Sequence, residues 1–186
     1  MPDDFFVESS ALVKRYKSEP GSDYMDAIMS GQENRLFFLN ITILEVQKLI
    51  YRLRFHPQSA HSGIEASIDE QTFRNLLSQS SRDFLQMKVV QLTQAMIHRA
   101  ASILPNYWIP SSVDLLQVAA FLETRTVYPM VQFVCADERL NEVVRRYAPS
   151  AVINPATSST NPTAIDSIRN TISNRAAQHM CIIHVG

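Results

Sequence analysis

The sequence is poor in the residues that mark several large protein classes. Its 186 residues include only 2 cysteines, Cys135 and Cys181, which are too few for a disulfide framework. No apolar run approaches the roughly 20 residues that span a bilayer, and the N-terminus lacks the charge and apolar run of a signal peptide. With only 4 glycines and 46% hydrophobic residues, we expect one well-packed cytoplasmic domain with no membrane segment.

The chain also lacks an excess of charge of either sign. There are 17 basic and 18 acidic residues, giving a formal net charge of -1. Because no global field would draw such a protein onto nucleic acid or anionic lipid, any binding of a polyanion must come from a local patch.

The opening stretch, residues 5–16, changes from strand to helix at a single acid. Three apolar residues suited to a buried strand precede Glu8, and a helix-forming run with apolar spacing follows it. Ser9 or Ser10 can cap this helix. Glu8 is then left at the carboxyl end of the strand, where ligands bind in open parallel sheets.

Strands and helices alternate along the rest of the chain. This alternation predicts the α/β class, with a parallel sheet of about five strands and helices on both faces. Periodicity alone leaves one of these strands, residues 84–92, open to a helical interpretation. The predicted strands are residues 5–7, 35–40, 84–92, 131–135 and 151–153, and helices are predicted at 22–30, from 42, at 67–80, at 93–104, from 111 and at 138–147.

The composition changes near the C-terminus. Residues 1–155 carry the alternating pattern and are predicted to form the globular domain. Residues 156–186 begin as a polar stretch with no pattern to bury and are predicted to be a linker and tail, in which 165–177 could form a short helix.

Four acids fall near predicted helix N-termini, and each has a structural explanation of its own. Glu45 and Asp114 stand at capping-box spacing from Thr42 and Ser111, and Asp137 can cap its own helix. In a parallel sheet, however, the helix N-termini that follow strands share one edge. Glu8, Glu45 and Asp137 are therefore expected to converge, and Asp114 joins them if its helix packs beside the first strand.

Carboxylates that converge repel one another unless something positive lies among them. A hard cation such as Mg²⁺ or Mn²⁺ takes oxygen ligands and would bind these acids together with phosphate oxygens. Such a centre is suited to phosphodiester hydrolysis.

Four segments carry a family resemblance. Residues 5–16, 43–54, 113–119 and 133–140 resemble, in order, the four motifs of PIN domains, especially the toxin nucleases of VapC type. The resemblance implies a PIN-like three-layer sandwich and a metal-dependent ribonuclease in which Glu8, Glu45, Asp114 and Asp137 hold one or two Mg²⁺ or Mn²⁺. It also implies a homodimer and, often, a small antitoxin protein that blocks the site. One departure is Glu8, since the first acid of the family is normally Asp.

Basic and hydroxyl residues near this edge are candidates to support the acids. Lys14, Arg15 and Arg139 could bind the RNA backbone, although ordinary exposed helix charges explain them equally well. Ser10 could donate a hydrogen bond to a carboxylate, or could simply cap its helix.

Two functions follow from these features. The first is a metal-dependent endoribonuclease that hydrolyses RNA phosphodiesters, a toxin of a toxin-antitoxin pair. The second is a catalytically weak or silent PIN-like module that binds a protein or RNA partner, suggested by Glu8 and by the C-terminal tail.

Overall fold

The computed structural model describes residues 3–56 and 67–158, and they form an α/β fold. Five parallel strands make one sheet in the order β3-β2-β1-β4-β5. The predicted class is therefore confirmed, whereas the predicted helix at 165–177 lies outside the described residues. The strands are β1 (Asp4–Val7), β2 (Arg35–Leu39), β3 (Lys88–Val90), β4 (Gln132–Val134) and β5 (Val152–Ile153).

Helices cover both faces of the sheet, because the central strands are apolar on both sides. In β1, Phe6 faces one buried cluster while Phe5 and Val7 face the other. Helices α1 to α4 pack on the side of Phe5, and α5 to α7 on the side of Phe6. The helices are α1 (Ser9–Leu12) with a 3₁₀ turn (Val13–Arg15), α2 (Ser22–Ser30), α3 (Thr42–Phe55), α4 (Glu70–Gln86), α5 (Gln94–Ile103), α6 (Ser112–Val127), α7 (Glu138–Tyr147) and α8 (Pro155–Ser158).

The region of the predicted third strand is mostly helical. Helix α4 begins after Asp69, whose Oδ1 accepts from the Thr72 N–H at 2.6 Å, and it continues to Gln86. Phe84, predicted to lie in the strand, instead packs from α4 against Phe38 with ring centroids 4.9 Å apart. The helical conformation is favoured because it packs Phe84 against the buried cluster on that face of the sheet. Of the predicted strand, the part that pairs with β2 is Lys88–Val90.

Two further features concern the packing of the last helix and the length of the apolar helices. Helix α8 packs on α2, and its Pro155 lies against Gly21, the N-cap of α2. Among the described residues, no helix is both long and apolar enough to cross a membrane.

Candidate functional site

A cavity of about 530 Å³ opens at the carboxyl edge of the sheet, beside the ends of β1 and β4. All four acids singled out in the sequence line it, although they come from four separate segments. Ser9, Ser10 and Ser111 complete its polar side, and Lys48 and Arg52 of α3 lie at its rim. The remaining lining is aliphatic and consists of Val13, Ile41, Leu44, Leu49, Val113 and Leu140.

Glu8 is the most enclosed of the four acids, with 1% of its surface exposed. Its Oε1 accepts from the Ser9 hydroxyl at 2.5 Å, and its Oε2 accepts from the Ser10 N–H at 2.7 Å and from the Ser10 hydroxyl. Glu8 itself is therefore the N-cap of α1, and the prediction that Ser9 or Ser10 caps this helix is wrong. Burial raises the pKa of Glu8, and the hydrogen bonds from the two serines oppose that rise.

Ser10 connects two edges of the site. Its Oγ accepts from the backbone N–H groups of Ala136 and Asp137 at 3.0 and 3.2 Å, while its hydroxyl donates to Glu8. The Cys135 Sγ lies 3.6 Å from the same oxygen. The turn after β1 and the turn after β4 are thus held together by one side chain.

Glu45 lies in the first turn of α3 but makes no capping box. The N-cap of α3 is Ile41, without a side-chain hydrogen bond, so the capping-box interpretation of Thr42 and Glu45 is wrong. Instead, the Glu45 Oε2 accepts from the Gln117 Nε2 of α6 at 3.0 Å. Burial, followed by the nearby charge of Glu8, raises the pKa of Glu45.

Asp114 and Asp137 have opposite electrostatic surroundings. Ser111 caps α6 by accepting from the Asp114 N–H at 3.2 Å, and burial raises the pKa of the Asp114 carboxyl. Asp137 caps α7, and its Oδ2 accepts from Arg139 Nη2 at 2.7 Å. The hydrogen bond from Arg139 lowers the pKa of Asp137.

The prediction of bound Mg²⁺ or Mn²⁺ is wrong for this arrangement. Across residues 3–56 and 67–158, no group of three or more His, Cys, Asp or Glu side chains could hold a metal ion. The physical reason lies in the partners of the acids. Glu8 is enclosed by two serines, Glu45 is bonded to Gln117, and Asp137 is paired with Arg139, so these three carboxylates already accept from donors of the protein itself.

The predicted basic residues fall in different places. Lys14 pairs with Glu19 at 2.9 Å, and Arg15 bonds to Asp26 at 2.5 Å, so both are engaged away from the cavity lining. Arg139 stays at the site as the partner of Asp137.

Sequence reasoning missed Lys48 and Arg52, the two cations at the rim of the cavity. Both are exposed, and neither forms an ion pair with any residue that the structure describes. They follow Glu45 by three and seven residues. Because that spacing places side chains on one face of a helix, the pattern could have revealed them.

The comparisons with known proteins leave the family open. No protein-family model matches this chain, and no curated protein matches it. The resemblance to PIN domains therefore rests on the four motifs and remains a prediction.

Proposed function

We propose that this chain is a PIN-like ribonuclease that hydrolyses RNA phosphodiesters in the cavity at the carboxyl edge of the sheet. One observation carries the proposal. Four acids from separate segments line a single cavity, and two cations without ion-pair partners among the described residues lie at its rim. Clustered acids with neighbouring phosphate-binding groups are typical of sites that transfer or hydrolyse phosphoryl groups.

The electrostatic state of the acids supports this chemistry. Burial raises the pKa values of Glu8, Glu45 and Asp114. Asp137 has a lowered pKa because of Arg139. A carboxyl whose pKa is raised towards the working pH is better matched to proton transfer than one with an ordinary pKa.

We assign the general-base role to Glu45. It is half-buried in the cavity and carries a hydrogen bond that fixes one of its oxygens. It would take a proton from the water that attacks phosphorus, while the phosphorus–oxygen bond to the leaving ribose breaks and the leaving oxygen takes a proton from a solvent water. The proton held by Glu45 then returns to solvent, which restores the carboxylate. Lys48 and Arg52 would bind the phosphates that flank the scissile bond.

The proposal includes the partners that the PIN resemblance implies. A small antitoxin would cover the cavity, and the toxin itself would be a homodimer. The aliphatic side of the cavity supports a protein contact, because Leu44 at its edge is 63% exposed.

A second candidate function is a silent PIN-like module that binds a protein or RNA partner without cutting. The observation that favours it is the enclosure of Glu8, whose two oxygens are both taken by serine donors. An acid held in this way caps a helix and has little freedom to meet a substrate.

RNA cleavage by the purified chain distinguishes the two functions. Wild type is incubated with labelled unstructured RNA and with total RNA, beside Glu45→Gln and Asp114→Asn. We expect cleavage by wild type, a loss of about a hundredfold or more in each variant, and melting temperatures that show both variants folded. The control is Glu70→Gln, which lies at an exposed position of α4 outside the cavity lining and should cut RNA as wild type does. RNA that is bound but never cut would instead support the silent module.

A further inference from the structure

Gln117 bridges the two helices that carry Glu45 and Asp114. It lies one turn after Asp114 on α6 and has no exposed surface, with a relative exposure of 0%. Its Nε2 donates to the Thr42 Oγ1 at 2.8 Å and to the Glu45 Oε2 at 3.0 Å. Both acceptors belong to α3, so one buried amide ties α6 to α3 at the level of the acids.

The oxygen of the same amide is in an unfavourable environment. The Gln117 Oε1 is buried and has no hydrogen-bond partner among the described residues. A buried acceptor without a partner lowers stability. An aliphatic side chain of similar length would fill the same volume without that penalty, so stability alone does not explain why an amide stands here.

We propose that Gln117 is a positioning residue, which holds the Glu45 carboxylate in one orientation and at a fixed separation from Asp114. This inference rests on the proposed ribonuclease function. The terminal torsion of a glutamate is broad, so a carboxylate without a fixed donor samples many orientations. Gln117 does not itself line the cavity, and it therefore acts on the reaction through Glu45.

The geometry around Glu45 makes this role specific to Gln117. The other groups that act on this carboxyl are Ser9, whose one hydroxyl proton is donated to Glu8 at 2.5 Å, and the carboxyls of Glu8 and Asp114, which repel it. Repulsion from Glu8 and Asp114 favours a swing of Glu45 away from them, and the Gln117 amide opposes that swing. Misplacement of a reacting group by about 1 Å can cost about a hundredfold in rate.

Gln117→Met tests the inference, because it keeps the length of the side chain and removes the donor. We expect kcat to fall by about tenfold to a hundredfold with KM unchanged, since Lys48 and Arg52 are untouched. The melting temperature should stay the same or rise, because the unpaired oxygen is removed as well. The control is Thr124→Val on the same helix, and its kcat should match wild type. Within residues 3–56 and 67–158, the buried Thr124 hydroxyl bonds only to the Ala120 carbonyl.

A second measurement needs no RNA. In NMR spectra of the whole chain, the side-chain amide of Gln117 should shift strongly in Glu45→Ala but not in Glu123→Ala, which lies on α6 away from the cavity. An unshifted amide, or a Gln117→Met variant that loses stability but keeps its kcat, would overturn the inference. A wild type that cuts no RNA yet shows the shift would overturn the ribonuclease function and support the positioning of Glu45 by Gln117.

Discussion

The Ser10 hydroxyl oxygen accepts a hydrogen bond from the backbone N–H of Asp137 at 3.2 Å, which joins the ends of the first and fourth strands. The same oxygen accepts from the Ala136 N–H at 3.0 Å, and the hydroxyl proton goes to Glu8. Ser10 thus uses its full capacity of two acceptor sites and one donor. The position of the Asp137 carboxylate depends on a side chain more than a hundred residues away in the sequence.

Removal of this hydroxyl should destabilise the fold. Ser10→Ala would leave the Ala136 and Asp137 N–H groups without their acceptor and would remove a donor from Glu8, so we expect a loss of about 1–3 kcal/mol in the free energy of unfolding. At this chain length, that corresponds to roughly 2–4 °C in melting temperature for each kcal/mol. Ser81→Ala, at an exposed site on α4, is the control. A change at Ser10 no larger than at Ser81 would contradict the bridging role.

The buried carboxyl of Glu8 should make stability depend on pH. Burial raises its folded-state pKa above the ordinary value of 4.5, so between these two values the folded state holds more protons than the unfolded state. The free energy of unfolding therefore falls as pH rises through that window. Glu8→Gln should remove this contribution and raise the melting temperature at neutral pH.

Thermal melts from pH 4 to 8 on both proteins test the sign. Glu138→Gln is an informative control, because its hydrogen bond with Arg145 lowers the pKa of Glu138. Its stabilising contribution is therefore present above the ordinary pKa and is lost as pH falls, so Glu138→Gln should lower the melting temperature at neutral pH. If Glu8→Gln also lowers it, the Glu8 carboxylate is paired more favourably than its burial indicates.

Local signals predicted the parts of the fold that local interactions determine. Helix α7 (Glu138–Tyr147) was predicted with its observed bounds, because Asp137 caps it from the adjacent position. The third strand was predicted too long, because an apolar run does not show whether its residues belong to a strand or to the last turn of a helix. Tertiary packing of Phe84 on Phe38 decides that question.

The candidate site likewise has some features that the sequence predicted and others that depend on tertiary packing. The convergence of Glu8, Glu45 and Asp137 on one edge followed from the topology, whereas that of Asp114 depended on how its helix packs, and all four line the cavity. The hydrogen bond from Ser10 to a carboxylate was predicted and is confirmed at Glu8. The donor to Glu45 was not predicted, because it is Gln117, 72 residues later. The directions of the basic side chains were also missed, although local spacing determines them. Lys14 pairs with Glu19, whereas Lys48 lines the cavity by virtue of the face of α3 on which it lies.

Gly21 offers a test of whether α8 belongs to the folded domain. Its φ of +98° is in the left-handed region, and a Cβ added there would lie 2.8 Å from the carbonyl carbon of Pro155. Gly21→Ala should therefore cost about 1–3 kcal/mol through backbone strain, with further loss as α8 is displaced. Gly31→Ala is the comparison without backbone strain, since Gly31 has a φ of −70° and the nearest atoms to its Cβ belong to the side chain of Asn34. Equal melting temperatures for the two variants would show that Pro155 does not rest on Gly21.

The two cations at the rim should determine how strongly RNA binding depends on salt. Each phosphate contact to a single strand contributes about 0.7 to the slope of log affinity against log salt concentration. Lys48→Ala with Arg52→Ala should therefore reduce the slope by about 1.4 and weaken binding uniformly across RNA sequences. The matched control is Arg74→Ala with Arg82→Ala, which removes the same charge from exposed positions of α4 outside the cavity lining. Both double variants change the net charge equally. A larger change of the slope in the α3 double variant would therefore come from direct contacts of Lys48 and Arg52 with RNA. Equal slopes for the two double variants, measured by fluorescence anisotropy from 50 to 300 mM salt, would show that RNA does not enter past Lys48 and Arg52.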